Sequence, residues 1–315
     1  MLLLVKLIFK RAFAVNSGEE ESSGLIHSDT LFSSIVNEWV KMYPNRSIDD
    51  MVLSLNSEKP LFKISSAFPF FYGDYYLPTP IGTDELCREK LKDVPFLELH
   101  DFLELAEGNH EKIRKKTFGT KYDFIIPFVA PRVSVDRITT ASNPYYISGW
   151  SMKEGGGLYF LVDLKDESVE DELLFCIKML GETGIGADKS AGFGAFESEI
   201  SPIDNISEWV ELFEERNGDS TAYYSLSLCC PADSDEAKEA LSYHILSRKG
   251  WTYSTSTPKQ LKRRECRMFA EGSLFRKPIK GKVADVTPSG FKSVHNVYRY
   301  GLGMMVQMKM PYRHG

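Results

Sequence analysis

The first ten residues alternate between apolar and polar side chains. Leu3, Val5 and Leu7 share one face of an extended chain, and Lys6 and Lys10 lie on the other. This is the period of a half-buried strand, whereas a signal peptide needs an unbroken apolar run and a small-residue cleavage site. Residues 1–10 therefore predict a strand. No later stretch of 18 apolar residues follows, so we expect no membrane-spanning segment.

Helical spacing begins near Ser28. Apolar residues from Leu31 to Val40 form one broad stripe, which predicts an amphipathic helix. Ser28 is the predicted N-cap, and the carboxylate of Asp29 lies in the first turn, where it suits the helix dipole.

The following segments alternate between strand and helix patterns. The predicted strands are 62–77 (broken by Pro69 and Gly73), 124–129, 157–164 and 192–200, and the predicted helices are 96–107 and one from about residue 168 that Gly181 ends. A polar, aromatic hairpin at 132–156 separates two core strands. Reduced to its core, the order is β-α-β-β-α-β, the ferredoxin-like or RRM-like arrangement with both helices on one sheet face. The other face is then open to a ligand.

The C-terminal third predicts a weaker copy of the same unit. After an acidic linker at 203–219, the pattern predicts strands at 223–229, 251–256, 266–279 and 296–310 and a helix at 235–246. In the last strand the inward positions are Leu302, Met304, Val306, Met308 and Met310. His244 lies on the apolar stripe of the helix, which favours a packed histidine over a ligand. The predicted fold class is α+β, with ferredoxin-like domains at 1–202 and 220–315, the second degenerate, and a hairpin inserted near 130–156.

The charge is unevenly distributed. The net charge is −6, yet the segment 259–282 holds nine basic and two acidic residues, a local excess of +7. Because charges farther away than about 10 Å are screened, such a segment attracts phosphate whatever the total charge. Arg276 and Lys277 in this segment, and Arg299 in the last predicted strand, are candidate RNA contacts.

Several classes of chemistry are not indicated. The five cysteines are odd in number and contain no C-x-x-C pair, which argues against a disulfide framework and a zinc site and favours a reducing cytoplasm. No cluster of His, Asp and Glu has metal-ligand spacing, and no nucleophile motif occurs. We therefore expect no cofactor.

The strongest local motif is a glycine-rich loop, G-x-G-x₅-G-x-G, at 184–194. Its candidate phosphate contacts are Gly184, Gly186, Lys189, Ser190, Gly192 and Gly194. Successive N–H groups in such a turn form an anion-binding nest, and glycine allows a second backbone to approach closely. A flexible connector is the alternative. A Walker loop is excluded because Asp188, not glycine, precedes Lys189 and because a strand, not a helix, follows.

His27, directly before the first helix, allows two interpretations. It has the chemistry of a general base for RNA cleavage through the 2′-hydroxyl. Alternatively, the start of this helix receives a phosphate. Because no histidine or tyrosine partner is evident nearby, the binding interpretation is favoured.

The hairpin carries cations and aromatic rings together. Arg132 and Arg137 lie in its first part, and Tyr145 and Trp150 lie farther along. Guanidinium groups hold phosphates while rings stack on splayed bases, so the pattern is typical of single-stranded RNA binding. A hairpin that packs against a partner protein is equally compatible.

Four segments together resemble the RAMP superfamily of CRISPR proteins. They are the helix start at 28–33, the strand at 65–69, the hairpin at 132–137 and the glycine-rich loop at 184–194. Within the superfamily the chain is similar to the fourth subunit of the Csm, or type III-A, effector complex.

This resemblance implies two ferredoxin-like domains and a non-catalytic subunit that caps the complex at the 5′ handle of the guide RNA (crRNA). It implies contacts with the large polymerase-type subunit and with the backbone RAMP subunit. By position, it assigns handle binding to the loop, to Ser28 and Thr30 at the helix start, and to Arg132 and Arg137 in a hairpin that acts as a thumb. The second domain has no matching glycine loop.

Three hypotheses stand at this point. The leading hypothesis is a non-catalytic guide-RNA-binding subunit in antiviral defence. The second is a metal-independent RAMP endoribonuclease that processes guide precursors with His27. The third is an interaction protein with a vestigial RNA surface.

Overall fold

The computed structural model describes residues 1–14, 24–82, 91, 94–109, 111–113, 123–135, 142–187, 189, 192–216, 221–252, 254, 260–291 and 295–309. The helices are α1 (Ser28–Met42), α2 (Ile48–Leu55), α3 (Leu99–Ala106), α4 (Glu170–Thr183), α5 (Ser207–Phe213) and α6 (Ser234–Lys238). The strands of the first two thirds are β1 (Leu2–Phe9), β2 (Phe62–Ile64), β3 (Phe68–Phe71), β4 (Asp74–Pro78), β5 (Phe96–Glu98), β6 (Ile125–Val135), β7 (Ser142–Met152), β8 (Gly156–Leu164) and β9 (Phe196–Pro202). The later strands are β10 (Thr221–Ser225), β11 (Ala240–Ser242), β12 (Ile245–Arg248), β13 (Cys266–Phe269), β14 (Leu274–Phe275), β15 (Ala284–Asp285), β16 (Tyr298–Arg299) and β17 (Met305–Lys309).

A seven-stranded sheet forms the centre of the N-terminal part. Its order is β5-β4-β3-β8-β1-β9, with β2 also paired to β8, and every pairing is antiparallel. A smaller antiparallel sheet, β11-β14-β10-β17, lies in the C-terminal part. The predicted mixture of helices and antiparallel sheets is therefore confirmed.

The central sheet is covered on both faces. On one face Leu3 and Val5 pack in the same cluster as Ile35 of α1 and Ile177 of α4. The other face, which the sequence predicted to be open, is also buried. There Leu4 joins a cluster that includes Phe102 of α3, Trp209 and Leu212 of α5 and Tyr224 of β10. The prediction of an open face is wrong because the C-terminal part of the chain covers it.

The segment that was predicted as an acidic linker is part of this cover. Residues 207–213 form helix α5, and both Trp209 and Leu212 are fully buried. The acidic side chains lie on the outer side of the helix, so composition alone suggested a linker. Burial of one Trp and one Leu stabilises the fold by about 1.5–3 kcal/mol for each side chain, which ties this segment to the rest of the protein.

Strands β6 and β7 form a long two-stranded hairpin that pairs with no other strand of the described chain. The predicted core strand at 124–129 is in fact the first half of β6, so the hairpin is longer than predicted. One of its faces carries the exposed side chains Val129, Val133, Val135 and Tyr146.

Helix α4 runs past Gly181 and ends at Thr183, so the prediction that Gly181 ends it is wrong. Gly181 is buried where a Cβ would lie 2.5 Å from the backbone oxygen of Phe196. This glycine allows α4 to pack closely on β9. Gly184 follows the helix with a φ of 81°, a left-handed conformation that favours glycine.

The C-terminal third departs most from its predicted elements. The predicted helix at 235–246 is a single turn, α6, and residues 240–248 form β11 and β12 because they pair with β14 and β13. His244 lies in the exposed connection between them, so the prediction that His244 packs on the apolar face of a helix is wrong.

The long strands predicted in this third are interrupted. The strand at 266–279 is broken between β13 and β14, and the strand at 296–310 is broken between β16 and β17. Of the predicted strand at 251–256 the structure describes residues 251, 252 and 254, where Trp251 forms a bridge to Lys262. Leu302, Met304, Val306 and Met308 are buried as predicted. Met310 lies outside the described residues.

Candidate nucleic-acid interface

The glycine-rich loop closes on itself and on the chain that follows β1. The N–H of Ile185 donates to the carbonyl of Gly194 at 3.0 Å, and the N–H of Gly194 donates to Ala12 at 3.0 Å. The N–H of Ala187 donates to the carbonyl of Ala14 at 2.7 Å. The loop is therefore fixed against the end of the central sheet.

The N–H groups of the loop glycines are largely used within the protein. Besides Gly194, Gly184 donates to Leu180 at 2.8 Å and Gly192 donates to Lys189 at 2.9 Å. Each of these three N–H groups has a single proton, which it already donates to a carbonyl of the protein. These protons are not available to a phosphate, so the prediction that these N–H groups form a phosphate nest is wrong. A phosphate at this loop is therefore not bound by the N–H groups of Gly184, Gly192 and Gly194.

The glycines are needed for the shape of the loop. All four have positive φ values, 81° at Gly184, 91° at Gly186, 79° at Gly192 and 74° at Gly194. A Cβ at Gly194 would lie 1.9 Å from the carbonyl oxygen of Ile185, whereas one at Gly192 would meet, among the described residues, only Arg11 Nη1, at 3.7 Å. Gly194 is therefore structural, and Gly192 lies beside a cation.

The structure brings the hairpin and the loop together, as the phosphate-binding hypothesis requires. The Phe193 ring in the loop stacks on Phe128 of β6, with centroids 5.4 Å apart and an interplanar angle of 5°. The Arg132 guanidinium lies 5.6 Å from the centroid of the same Phe193 ring. Arg132 and Phe193 thus join β6 to the loop.

Three exposed or partly exposed cations lie on the loop and on the segments packed against it, and the charged neighbours of Lys189 are Glu38 and Lys41 of α1. Lys189 is exposed in the loop, Arg11 is exposed beside Gly192, and Arg132 is partly exposed on β6. Tyr145, opposite Arg132 in the β6–β7 ladder, is 46% exposed and lies on the same face of the hairpin. We call Arg11, Arg132, Tyr145, Lys189 and Phe193 the loop–hairpin surface.

Sequence reasoning missed Arg11 and Phe193. Arg11 follows β1 directly, and β1 pairs with β9, the strand that leaves the loop. The predicted sheet order therefore contained the signal for Arg11. The contact of Phe193 with the hairpin had no local signal, because it joins segments distant in the chain.

Trp150, predicted to stack on bases, lies at the base of the hairpin. Its side chain packs against both large core clusters. Its backbone N–H and carbonyl exchange hydrogen bonds of 2.8 Å with Phe13. This partly exposed ring contributes to the core at the base of the hairpin, and its stacking on a base stays a prediction.

The residues at the start of α1 are buried, contrary to a direct role in phosphate binding. Helix α1 begins at Ser28, so Ser28 is not the N-cap. Its hydroxyl accepts a hydrogen bond from the Leu228 N–H at 3.1 Å, and its side chain is inaccessible. Thr30 is half-buried and accepts from Arg248 Nη2 at 3.3 Å. None of the described contacts of Ser28 or Thr30 reaches the glycine-rich loop.

His27 is buried against Glu271, with Nδ1 and Oε1 2.9 Å apart. Burial lowers the pKa of His27, but the charge and hydrogen bond of Glu271 outweigh it, and the net pKa is raised. The pKa of Glu271 is lowered, because His27 and the hydroxyl of Ser66 outweigh its burial. The pair joins α1 to the C-terminal part of the chain.

Asp29 completes this junction. Burial raises its pKa, but Arg248 and Arg299 more than offset the effect and hold the pKa well below its usual range. Arg299, predicted as an RNA contact, is buried and donates to Asp29 through Nη1. That prediction is wrong, because this guanidinium is an internal counter-ion.

The remaining predicted contacts are scattered. Arg276 and Lys277 are exposed, and both pair with Glu239, at 3.7 Å and 3.5 Å. The basic segment does not form one strand. Arg137 and Ser190 lie outside the described residues.

Within the described ranges no group of three or more His, Cys, Asp and Glu side chains could hold a metal ion. None of the helices in these ranges is long and apolar enough to cross a lipid bilayer.

Comparison with known proteins links the whole chain to one group. Residues 218–308 match the family model "CRISPR Csm4 C-terminal domain". A Csm4 protein of Thermococcus onnurineus (strain NA1) is 26% identical over 307 residues, which cover 90% of this chain and 92% of that protein. A Csm4 protein of Streptococcus thermophilus is 26% identical over 303 residues, covering 93% and 95%.

Solved structures share the fold. A chain of the Csm3–Csm4 subcomplex in the type III-A CRISPR-Cas interference complex superposes with a TM-score of 0.66, at 21% identity, over 97% of this chain and 99% of that one. A chain of a Csm1–Csm4 cassette in complex with cA4 superposes with a TM-score of 0.64, at 21% identity, over 99% of both chains.

Proposed function

Because the chain is a relative of the Csm4 proteins of the RAMP superfamily, we propose that it is the guide-RNA-binding subunit of a type III-A CRISPR complex. In this proposal it caps the complex at the 5′ handle of the crRNA and has no catalytic role. The observation that carries RNA binding is the contact of Arg132 with Phe193, which unites the hairpin and the glycine-rich loop.

The loop–hairpin surface has the chemistry of a single-strand binder. Arg11, Lys189 and Arg132 supply positive charge for phosphates, which fixes the position of a strand without reading its sequence. Tyr145 presents an exposed ring beside Arg132, so a splayed base is able to stack on it. The closed loop backbone holds Lys189 and Phe193 in place, which lowers the entropic cost of binding.

The partners proposed are a large polymerase-type subunit and a backbone RAMP subunit. Solved relatives occur with Csm3 and with Csm1. The apolar face of the hairpin, where Val129 is 66% and Tyr146 is 74% exposed, supports a partner contact because exposed apolar patches mark interaction sites. In this proposal the hairpin acts as a thumb with RNA on one face and a neighbouring subunit on the other.

We also propose that the chain contains two ferredoxin-like units. The order β9-β1-β8-β2 with α1 and α4 on one face supports this for the first. The second unit is degenerate, with the single-turn α6.

The alternative, an endoribonuclease that uses His27, is disfavoured. His27 is buried, faces Glu271 and has a raised pKa. A general base must reach the 2′-hydroxyl proton of its substrate, and this imidazole is enclosed by the junction between α1 and the C-terminal part.

The test is guide-RNA retention in a reconstituted complex. A triple variant, Arg11→Gln, Arg132→Gln and Lys189→Gln, should assemble with its partner subunits but retain much less guide RNA. The matched control replaces three exposed lysines elsewhere, Lys59, Lys165 and Lys238, by Gln and should retain RNA normally. Equal retention by both triple variants would reject the proposed surface.

A further inference from the structure

A pocket of about 360 Å³ lies on the outer side of α1. Its walls are α1, the start of α2 and residues 295–298. Phe32, Val36 and Ile48 form an apolar wall, and Asn37, Arg263 and His295 contribute polar groups. A small-molecule site has this character, since such pockets combine apolar walls with a few polar groups at about 300–1,000 Å³.

Two cations around this pocket are paired with carboxylates, and the carboxylate of Asp49 is held by neutral hydrogen-bond donors. Asp49 accepts from Asn296 at 3.1 Å and from the Tyr298 hydroxyl at 2.7 Å. Lys41 pairs with Glu38 at 2.7 Å, and Arg46 pairs with Glu172 at 2.6 Å. Within the described chain, Arg263 has no acidic partner at ion-pair distance.

Arg263 belongs to a group with excess positive charge. Its charged neighbours include Arg248, Arg299 and Asp29, so among these four residues three carry a guanidinium group and one carries a carboxylate. Asp29 is already bonded to the other two arginines. Burial and the charges of Arg299 and Arg248 lower the pKa of Arg263 to about 10.

The geometry of Arg263 leaves it able to bind an anion. Its Nε donates to the carbonyl of Trp251 at 2.8 Å, which orients the guanidinium. The side chain is half-buried and lines the pocket. A partly desolvated guanidinium without a counter-ion favours a phosphate, which it binds through charge-assisted hydrogen bonds.

We propose that this pocket binds a nucleoside monophosphate, with the phosphate on Arg263 and the base against the wall of Phe32, Val36 and Ile48. Asn37 at the rim offers an amide to the edge of the base. The nucleotide is either free or the terminal nucleotide of an RNA, because both present the same groups. This inference does not depend on RNA binding at the loop–hairpin surface.

The test is binding by the purified full-length chain, measured by equilibrium dialysis with labelled AMP, CMP, GMP and UMP. Wild type should bind at least one of them. Arg263→Gln should weaken binding by about tenfold or more, since a hydrogen bond to a charged group contributes about 1.5–3 kcal/mol. Asn37→Trp, at an exposed position on the rim, should block entry. Arg264→Gln is the matched control, because Arg264 is exposed and pairs with Asp285 at 3.1 Å.

Circular dichroism and the unfolding midpoint establish that each variant is folded. Absence of binding by wild type both to all four nucleotides and to a short RNA with a 5′-phosphate, or equal binding by folded Arg263→Gln, would overturn the proposal. Equal competition by inorganic phosphate would also overturn it, because the base would then contribute nothing. Short RNAs with a 5′-phosphate distinguish the sources: binding of the RNA but not the mononucleotide supports an RNA end, and binding of both supports a free nucleotide.

Discussion

The Asp29 carboxylate accepts two parallel hydrogen bonds from the Arg248 guanidinium, Nε to Oδ2 and Nη2 to Oδ1, each 3.0 Å long. The two residues are 219 positions apart in the chain, and both are buried. This bidentate pair connects the first turn of α1 to the end of β12. It is therefore one of the contacts that hold the N-terminal and C-terminal parts of the protein together.

Replacing Asp29 by Asn should strongly destabilise the protein. The change leaves Arg248 and Arg299 buried without a counter-ion, and breaking a buried pair in this way costs about 3–5 kcal/mol. Urea unfolding should show this as a lower midpoint. Asp235→Asn is the control, since Asp235 pairs with Lys238 at the surface, and it should change the midpoint little. Equal midpoints for the two variants would contradict the role of Asp29.

The His27–Glu271 pair should make stability depend on pH in a defined window. His27 has a raised pKa in the folded protein, so its contribution is fully present below its ordinary pKa of 6.5 and is lost as pH rises through the folded value. Glu271 has a lowered pKa, so its contribution is present above 4.5 and is lost as pH falls through the folded value. The pair should stabilise most between these two pH values.

The measurement is the difference in unfolding free energy between wild type and His27→Gln across this range. The difference should be largest between about pH 4.5 and 6.5 and should shrink above it. His100→Gln is the control, because His100 is exposed and lies 3.9 Å from Glu208. A difference that grows as pH rises above 6.5 would show that His27 is neutral in the folded protein.

Two substitutions at Gly192 should separate charge from backbone strain. Asn and Asp are nearly equal in size, and both tolerate the left-handed conformation better than most residues. Because Gly192 lies beside Arg11, Gly192→Asp should reduce guide-RNA retention in the reconstituted complex, while Gly192→Asn should retain clearly more. If both variants fold and retain RNA equally well, negative charge at this position is irrelevant to binding.

Lys189 and Tyr145 should affect RNA binding differently. Lys189→Ala should make the log–log dependence of affinity on salt shallower by about 0.7, the contribution of one phosphate on a single strand. It should weaken handle and scrambled RNA alike. Tyr145→Ala should lower affinity by about 1–3 kcal/mol with nearly the same slope. Titrations of the reconstituted complex at several salt concentrations measure both. A Lys189→Ala variant with unchanged slope and affinity would show that this lysine does not contact phosphate.

The purified protein should not cleave RNA. A repeat-containing precursor incubated with wild type in EDTA should give no specific product, because His27 is enclosed. The same reaction with His27→Ala is the comparison. Specific cleavage by wild type that His27→Ala abolishes would favour the endoribonuclease instead.

Helices and strands with a clear periodicity of hydrophobic residues were predictable from the sequence. The alternation at Leu3, Val5 and Leu7 and the stripe of α1 specify which side chains are buried, and β1 and α1 occur where these patterns lie. The segment at 240–248 shows the limit. Its apolar residues have helical spacing, yet pairing with β13 and β14 determines the structure, because tertiary contacts override weak local propensity.

The location of the candidate site was predictable from the sequence, but the groups that are available to bind phosphate were not. The spacing of the glycines predicted the position of the loop, and their positive φ values explain why glycine occupies these positions. Two of the partners of its N–H groups, Ala12 and Ala14, lie far away in the chain, so sequence could not show that the N–H groups of Gly194 and Ala187 are already bonded. Ser28 and Asp29 correctly indicated the start of a helix. Their hydrogen-bond partners, Leu228 and Arg248, lie far away in the chain and could not be predicted from the sequence.

The double cover of the central sheet has a consequence for biosynthesis. The ribosome completes β1, β8 and β9 well before it makes Met304, which packs in the same cluster as Leu4 and Tyr159. Until then, the part of the second face that Met304 and its neighbours cover is exposed to solvent, and we expect molecular chaperones to bind there. A chain released before residue 304 should therefore be held by chaperones or degraded, so cells should accumulate only the product in which both faces are closed.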